Sequence, residues 1–417
     1  MKIYFVLIMF FLSFQVAFSQ ELVEFRGIDR TGIYNGNGLL KQWPENGPEL
    51  LLKIEGIGKG YSHPIVAENK IFVTGQKNDT IDVMSAYNLK GNFLWETPYG
   101  RSWIRTYSES RSTPTYSDGN LYVASGTGQI ACVNAENGKL VWVVNSEDKY
   151  GTAIYNHGDA ESPLVYKDVV IYTTGGERNT IIALNKNNGS LAWKTKSLGG
   201  AKSYASPVLI NHNGVDIIVA QTSEKLFGIL AENGSILWHT NLIQYHTHRQ
   251  GKGGNTNPPI YFDGELFVTS GYDHPGIMYI ISEDGELISE KWKNYDLDNH
   301  HGGVVHVDGN LYGANWQNNS KGRWASINWE TGETNWETEW YNKGSIIFAD
   351  GMLYMLEEKS GTLALVNPSL VKFDIVSSIK ITEGNGPYWS HPAIYDGKLF
   401  VRHGEVLMIY NIKNDES

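Results

Sequence analysis

Three stretches of this chain combine imidazoles, phenols and basic side chains at spacings that suit proton transfer on an anion. The first is His246-Thr247-His248-Arg249, followed by Lys252-Gly253-Gly254-Asn255. The second is Asn299-His300-His301-Gly302-Gly303, and the third is Tyr155-Asn156-His157-Gly158-Asp159-Ala160-Glu161. A carboxylate on a sugar ring acidifies the neighbouring C–H. Removing that proton needs a base and a cation to hold the carboxylate. His301 or His246 is the expected base, Tyr155 or Tyr388 the acid, and Arg249 or Arg105 the grip on the carboxylate. His300, His248, His157, Trp389 and Trp103 complete the expected substrate surface, since indole and imidazole faces suit sugar rings. The reaction class is β-elimination on a uronate-containing oligosaccharide, as a lyase or a dehydratase. His-x-His can set both imidazoles on one side of a strand, so His246 and His248 with His274 are the candidates for a metal. Glycoside hydrolysis ranks lower, because it needs two carboxylates across a cleft and Asp159 and Glu161 share one loop. The chain has no serine nucleophile elbow, P-loop or dinucleotide fingerprint.

Eight copies of one unit must position these residues. Each opens on a small residue or proline followed by alternating apolar positions. The second residues of the opening pairs are Pro64, Pro114, Pro163, Pro207, Pro259, Val304, Ile346 and Pro392. Steps in the forties to low fifties mark propeller blades. Within residues 112–144 the turns Asp118-Gly119, Gly126-Thr127-Gly128 and Asn137-Gly138 separate four β-rich runs with period two. The expected fold is all-β, an eight-bladed propeller of four-stranded antiparallel blades. The last unit lacks its outer strand, and residues 49–55 can supply it, pairing the two chain ends and removing an open edge. Trp95, Trp142, Trp193, Trp238 and Trp336 recur at one place in the unit and read as packing between blades.

In a four-stranded meander, the links from fourth to next first strand and from second to third strand open on one face. Nine of the 12 histidines fall on that face or beside it: His63, His157, His246, His248, His274, His300, His301, His391 and His403. Arg101, Arg105, Arg111, Arg178, Lys202, Arg249, Lys252, Arg323 and Lys343 share it. A basic, aromatic mouth on an acidic protein is built for an anion carried on an apolar ring.

The units Ala86–Trp95, Ala183–Trp193 and Leu230–Trp238, with the opening Glu24–Gly32 and Gly60–Pro64, resemble the pyrroloquinoline-quinone-type propeller repeat of exported proteins. The resemblance covers nearly the whole chain after its leader. It implies the propeller fold and three classes of role: quinone-dependent dehydrogenase of alcohols or sugars, lipoprotein scaffold of outer-membrane barrel assembly, or neither. Dehydrogenases of this fold carry adjacent cysteines beside the quinone, whereas this chain has a single cysteine, Cys132. Bound quinone is therefore disfavoured, and no cofactor is expected.

Bulk composition sets the remaining bounds. With 34 basic and 45 acidic residues the net charge is −11, which argues against nucleic acid as a partner. Met1-Lys2, the apolar run 3–14 and the small residues Ala17 and Ser19 read as a cleavable signal peptide over 1–19. The run is too short for a membrane span. Residues 20–47 form an N-terminal extension and 48–417 one propeller, expected as a periplasmic or secreted monomer. Expressed with its leader in a bacterium with two membranes, the chain should be recovered with Gln20 at its N-terminus, read by intact mass.

Overall fold

The computed structural model describes residues 21–247 and 254–414. Each repeat folds into a four-stranded antiparallel sheet, because Asp-Gly and Asn-Gly pairs supply the positive φ of tight hairpins between alternating apolar runs. Blades 1 to 7 occupy residues 65–101, 115–145, 164–194, 208–241, 260–294, 304–338 and 344–380. Blade 8 takes three strands from residues 393–411 and its outer strand from Leu50–Glu55, antiparallel to Val406–Asn411. The eight-bladed fold and its closure are as the repeats predict. Ser146–Tyr150 is the one α-helix among the described residues.

Neighbouring blades are joined by a repeated tryptophan contact. On the fourth strand Trp95, Trp142, Trp193, Trp238 and Trp336 lie opposite Ala86, Cys132, Ala183, Gly228 and Ser326 of the third. Trp95, Trp142 and Trp193 also cover the hairpin glycine of the next blade. A methyl added at Gly138 would sit 2.6 Å from the Trp95 ring, and one at Gly234 would sit 2.4 Å from that of Trp193. The irregular fifth unit keeps the device, with Trp292 opposite Met278 and over Gly332. Cys132 is one of the small residues beneath these indoles, and burial pushes its thiol up to about 12, so it stays protonated.

The innermost strands present carbonyls to the central channel with no strand beyond them, and burial makes unpaired carbonyls costly. The N-terminal segment meets this need. Leu22 pairs with Val66 of blade 1, the chain then loops through the axis over Glu24–Gly32, and Ile33–Tyr34 leaves as a fifth, parallel strand on Gly344–Ala349 of blade 7. Arg26, buried, donates through its guanidinium to the carbonyls of Gly302, Val304 and Ile346 and to His391 Nδ1 at 2.8 Å. Its backbone N–H donates to His63 Nε2 at 2.7 Å. Arg30 donates to the carbonyls of Ser162, Pro163 and Pro207 and pairs with Glu24 at 3.1 Å. Residues 24–32 are thus an internal plug, and the chain beyond them runs along blades 7 and 8, where Leu39 pairs with Lys413 and the Trp43 N–H donates to Ser377 Oγ.

The plug explains Gly302-Gly303, whose position after two histidines suggests a close approach. The approaching groups belong to the protein itself. A methyl at Gly303 would lie 1.9 Å from Arg26 Nη1, and one at Gly302 would lie 1.7 Å from the Gly344 carbonyl oxygen. A third buried arginine, Arg402, staples the seam between blades 8 and 1 through the carbonyls of Gly58, Ser62 and Thr74. Replacing Arg26 with Met leaves several inner carbonyls unsatisfied and should lower unfolding free energy by about 3 kcal/mol. Lys194→Met on an exposed outer strand should change it by less than about 0.5 kcal/mol. Urea denaturation followed by tryptophan fluorescence measures both.

Candidate functional site

On the face where the inter-blade links open, the channel widens into a basin of about 400 Å³. Phe25, at the tip of the plug, forms part of its floor, stacked at 5.5 Å on His63 and edge-on at 5.4 Å to His391. Its wall is a belt of touching rings. Trp389 meets Tyr61 at 5.0 Å, Tyr107 at 5.3 Å and His301 at 5.3 Å. One arm runs on through Tyr107 and His157 to Tyr204, with centroids 5.4 and 6.2 Å apart. The other runs from His301 through His300 to Tyr272, at 4.4 and 4.6 Å. Tyr107 and Tyr272 are held at φ of 50° and 65°, a region that costs a non-glycine residue about 1–3 kcal/mol. Such strain clusters where a side chain must be presented.

Charge enters this apolar belt at three places. Lys343 Nζ lies 2.8 Å from Glu358 Oε1, and His301 Nε2 lies 3.5 Å from Glu358 Oε2. Arg111 donates to the backbone carbonyls of Tyr107 and His157, fixing two loops, and burial lowers its pKa. Burial also lowers the pKa of His301, against the opposing pull of Glu358, which keeps the imidazole neutral. Two cations and one carboxylate among the lining residues leave the basin net positive in a protein of charge −11.

The expected residues divide sharply. His157, His300, His301 and Trp389 line the basin. Tyr155 stands behind its wall, 5.8 Å from Tyr204. Trp103 and Arg105 do not line it; Arg105 lies 5.0 Å over the Trp103 ring, which packs on Gly126 and Gly158. Tyr388 is buried, stacked at 3.7 Å on His403, and its hydroxyl donates to the Ile381 carbonyl at 2.8 Å. His246 is buried against His274, 4.8 Å between rings, and bonded to Asn255 at 3.1 Å, away from the basin. His248 and Arg249 lie outside the described residues. No group of three or more His, Cys, Asp or Glu side chains able to hold a metal occurs among the described residues. Lys202 turns inward onto Asp159 and Glu161, with Tyr172 closing the buried cluster. Tyr61, Tyr107, Arg111, Tyr204, Tyr272, Lys343 and Glu358 join the site through the fold, from links of six different blades.

Residues 82–337 match the sequence profile of the PQQ-type propeller family described as outer membrane protein assembly factor BamB. The chain belongs to this BamB-type propeller family. Curated relatives include the BamB of Yersinia pestis, 24% identical over 75% of this chain and 76% of that one. The quinoprotein alcohol dehydrogenase PedH of Pseudomonas putida is 22% identical over 49% of this chain but only 36% of its own length. Among solved structures, a europium-containing methanol dehydrogenase superposes with a TM-score of 0.70 at 12% identity, covering 92% of this chain and 90% of that one. BamB from Moraxella catarrhalis superposes with a TM-score of 0.60 at 14% identity, covering 87% and 97%. Both superpositions speak to the fold alone.

Whether this BamB-type basin suits a quinone can be tested on its groups. A flat, tri-acidic quinone asks for several cations and an open aromatic face. Against the three carboxylates of such a quinone the lining residues set two cations, Arg111 and Lys343, the second already paired with Glu358. The lone cysteine sits in the core of blade 2. These groups do not fit it. No helix of the described residues is long and apolar enough to cross a membrane.

Burial of neutral histidines makes stability depend on pH. His63 is lowered to about 4 and His274 to about 3, both chiefly by desolvation, against about 6.5 when unfolded. The unfolded chain therefore takes up protons first, and stability falls as pH drops from about 6.5 toward 4. Asp82, raised by burial to about 6, works in the opposite sense by gaining its proton in the native state. Because glutamine keeps an acceptor for the Arg26 N–H, His63→Gln should flatten the acid slope by up to about 1.4 kcal/mol per pH unit. Denaturation midpoints at pH 7, 5.5 and 4.5 check it.

Proposed function

We propose that the axial basin binds an acidic sugar, a uronate-containing oligosaccharide, and eliminates across its C4–C5 bond. The observation that carries this reading is the belt of touching rings around Trp389 with Lys343 and Arg111 among its lining residues. Ring C–H faces of a sugar pack on indole and phenol faces, and its carboxylate meets the positive charge. His301 is the base, neutral by burial, with Glu358 beside it to steady the imidazolium once formed. No quinone takes part. The chain acts outside the cytoplasm after removal of residues 1–19.

A second reading draws more support from the relatives than elimination does: a non-catalytic platform for protein assembly. The profile match over residues 82–337 and the alignment with the Yersinia pestis assembly factor favour it. One experiment separates the two. Titration calorimetry with a panel of uronate oligosaccharides should show binding that neutral counterparts lack. Trp389→Ala should weaken it by about tenfold, the equivalent of about 1.4 kcal/mol of ring contact. Near-ultraviolet absorbance and product mass then report the unsaturated uronate, with loss of water marking a dehydratase and chain cleavage a lyase. Absence of binding across the panel, with envelope proteins recovered stoichiometrically on the wild-type chain, would overturn the sugar reading in favour of the platform.

A further inference from the structure

One pair in the basin is built more tightly than packing requires. The Tyr272 hydroxyl and His300 Nε2 lie 2.6 Å apart in a hydrogen bond, and the two rings meet edge-on at 78°. Both residues line the basin. Tyr272 and Asp273 are held in the left-handed region, at φ of 65° and 63°, within the tight turn Gly271–His274. The carboxyl group of Asp298 pins that turn: its Oδ2 accepts the Asp273 N–H at 2.8 Å. Gly271 sits so close that a methyl there would meet His300 Cα at 2.8 Å. One short segment, 298–301, therefore holds the strained turn, bonds the phenol and carries His301. Left-handed non-glycine backbone persists only where its surroundings over-determine it, and here they aim a single hydroxyl.

We infer that Tyr272 and His300 form the proton-donating pair of the site, with Tyr272 as acid and His300 positioning it. This rests on the elimination reading above. His300, in the tautomer protonated on Nε2, donates to the phenol oxygen, so that the phenol's own proton is the one transferred. His301 takes the C5 proton, the electron pair of that C–H bond becomes the C4=C5 double bond, and the C4–O bond breaks. The leaving oxygen takes the Tyr272 proton. Loss of one proton from His301 to solvent and uptake of one by Tyr272 restore both groups. The phenolate left for that interval is held by the His300 N–H. Among the described residues, the other titratable groups around the phenol are Tyr204 across the basin and Asp273 and Asp298 in and under the turn.

The test compares wild type with Tyr272→Phe and His300→Phe on the uronate panel, reading calorimetric affinity, turnover and its pH profile, with melting as a control for folding. Tyr272→Phe should bind within about threefold of wild type yet lose about 10²–10⁴-fold in kcat. His300→Phe keeps ring packing but removes the donor, so the phenol ionises less readily and the alkaline fall in rate moves to higher pH. Turnover by Tyr272→Phe within about threefold of wild type would overturn the inference and leave the elimination reading standing. A panel that binds without reacting in wild type would overturn both the inference and elimination, leaving only sugar binding. A panel that does not bind at all would overturn the sugar reading itself.

Discussion

The arginines that satisfy the channel are the constraint on which the rest of this structure depends. A closed propeller has no outer edge problem once its ends are paired, but its innermost strands still face one another across an axis too wide for ladder bonds. Arg26 and Arg30 solve this with fork-shaped cations whose N–H groups reach carbonyls of blades 3, 4, 6 and 7. A guanidinium suits the task because it offers five donors in one plane and stays charged in poor solvent. Burial brings Arg26 down to about 10, still far above any pH at which the protein would work.

The basin inherits its floor from that plug. Phe25 rests on His63 and His391, and His391 takes one bond from Arg26 while giving another to the His301 carbonyl. The segment that fills the channel thus also sets the depth of the basin and the backbone of one of its histidines. Above the floor, rings from links of several blades meet, four of the contacts edge to face, a geometry favoured by the aromatic quadrupole. Phe25 and His391 thus belong both to the packing of the plug and to the lining of the basin.

Outside the axis the design is modular. An indole on each of several fourth strands covers a small residue on its own third strand, and three of the five repeat indoles lie on the hairpin glycine of the next blade. This repeat contact tolerates drift in turn length, as blade 5 shows with Trp292. It leaves the links on the basin face at liberty to diverge. Membership of the BamB-type family therefore fixes the scaffold, while the lining of the basin is set by the links.

The sequence by itself determined the blade count, the strands within each blade, the borrowed outer strand and the face toward which most histidines tend. All of these are local signals: turn glycines, period-two alternation and a tryptophan at constant register. Tertiary structure alone decided which of those residues meet. Tyr388 and Trp389 are neighbours, yet successive side chains of an extended link point opposite ways, so one is stacked on His403 and the other anchors the basin. His246 looks as reactive as His301 in a string of letters, but its loop folds it against His274 and Asn255. Tyr272 and Glu358 give no cue in their own neighbourhoods, Lys343 is one basic residue among nine on the mouth face, and Arg26 reads as part of a polar extension. Their roles come from contacts spanning up to hundreds of residues. Such contacts are made by closing a ring of eight sheets around one axis, and no local pattern encodes that juxtaposition.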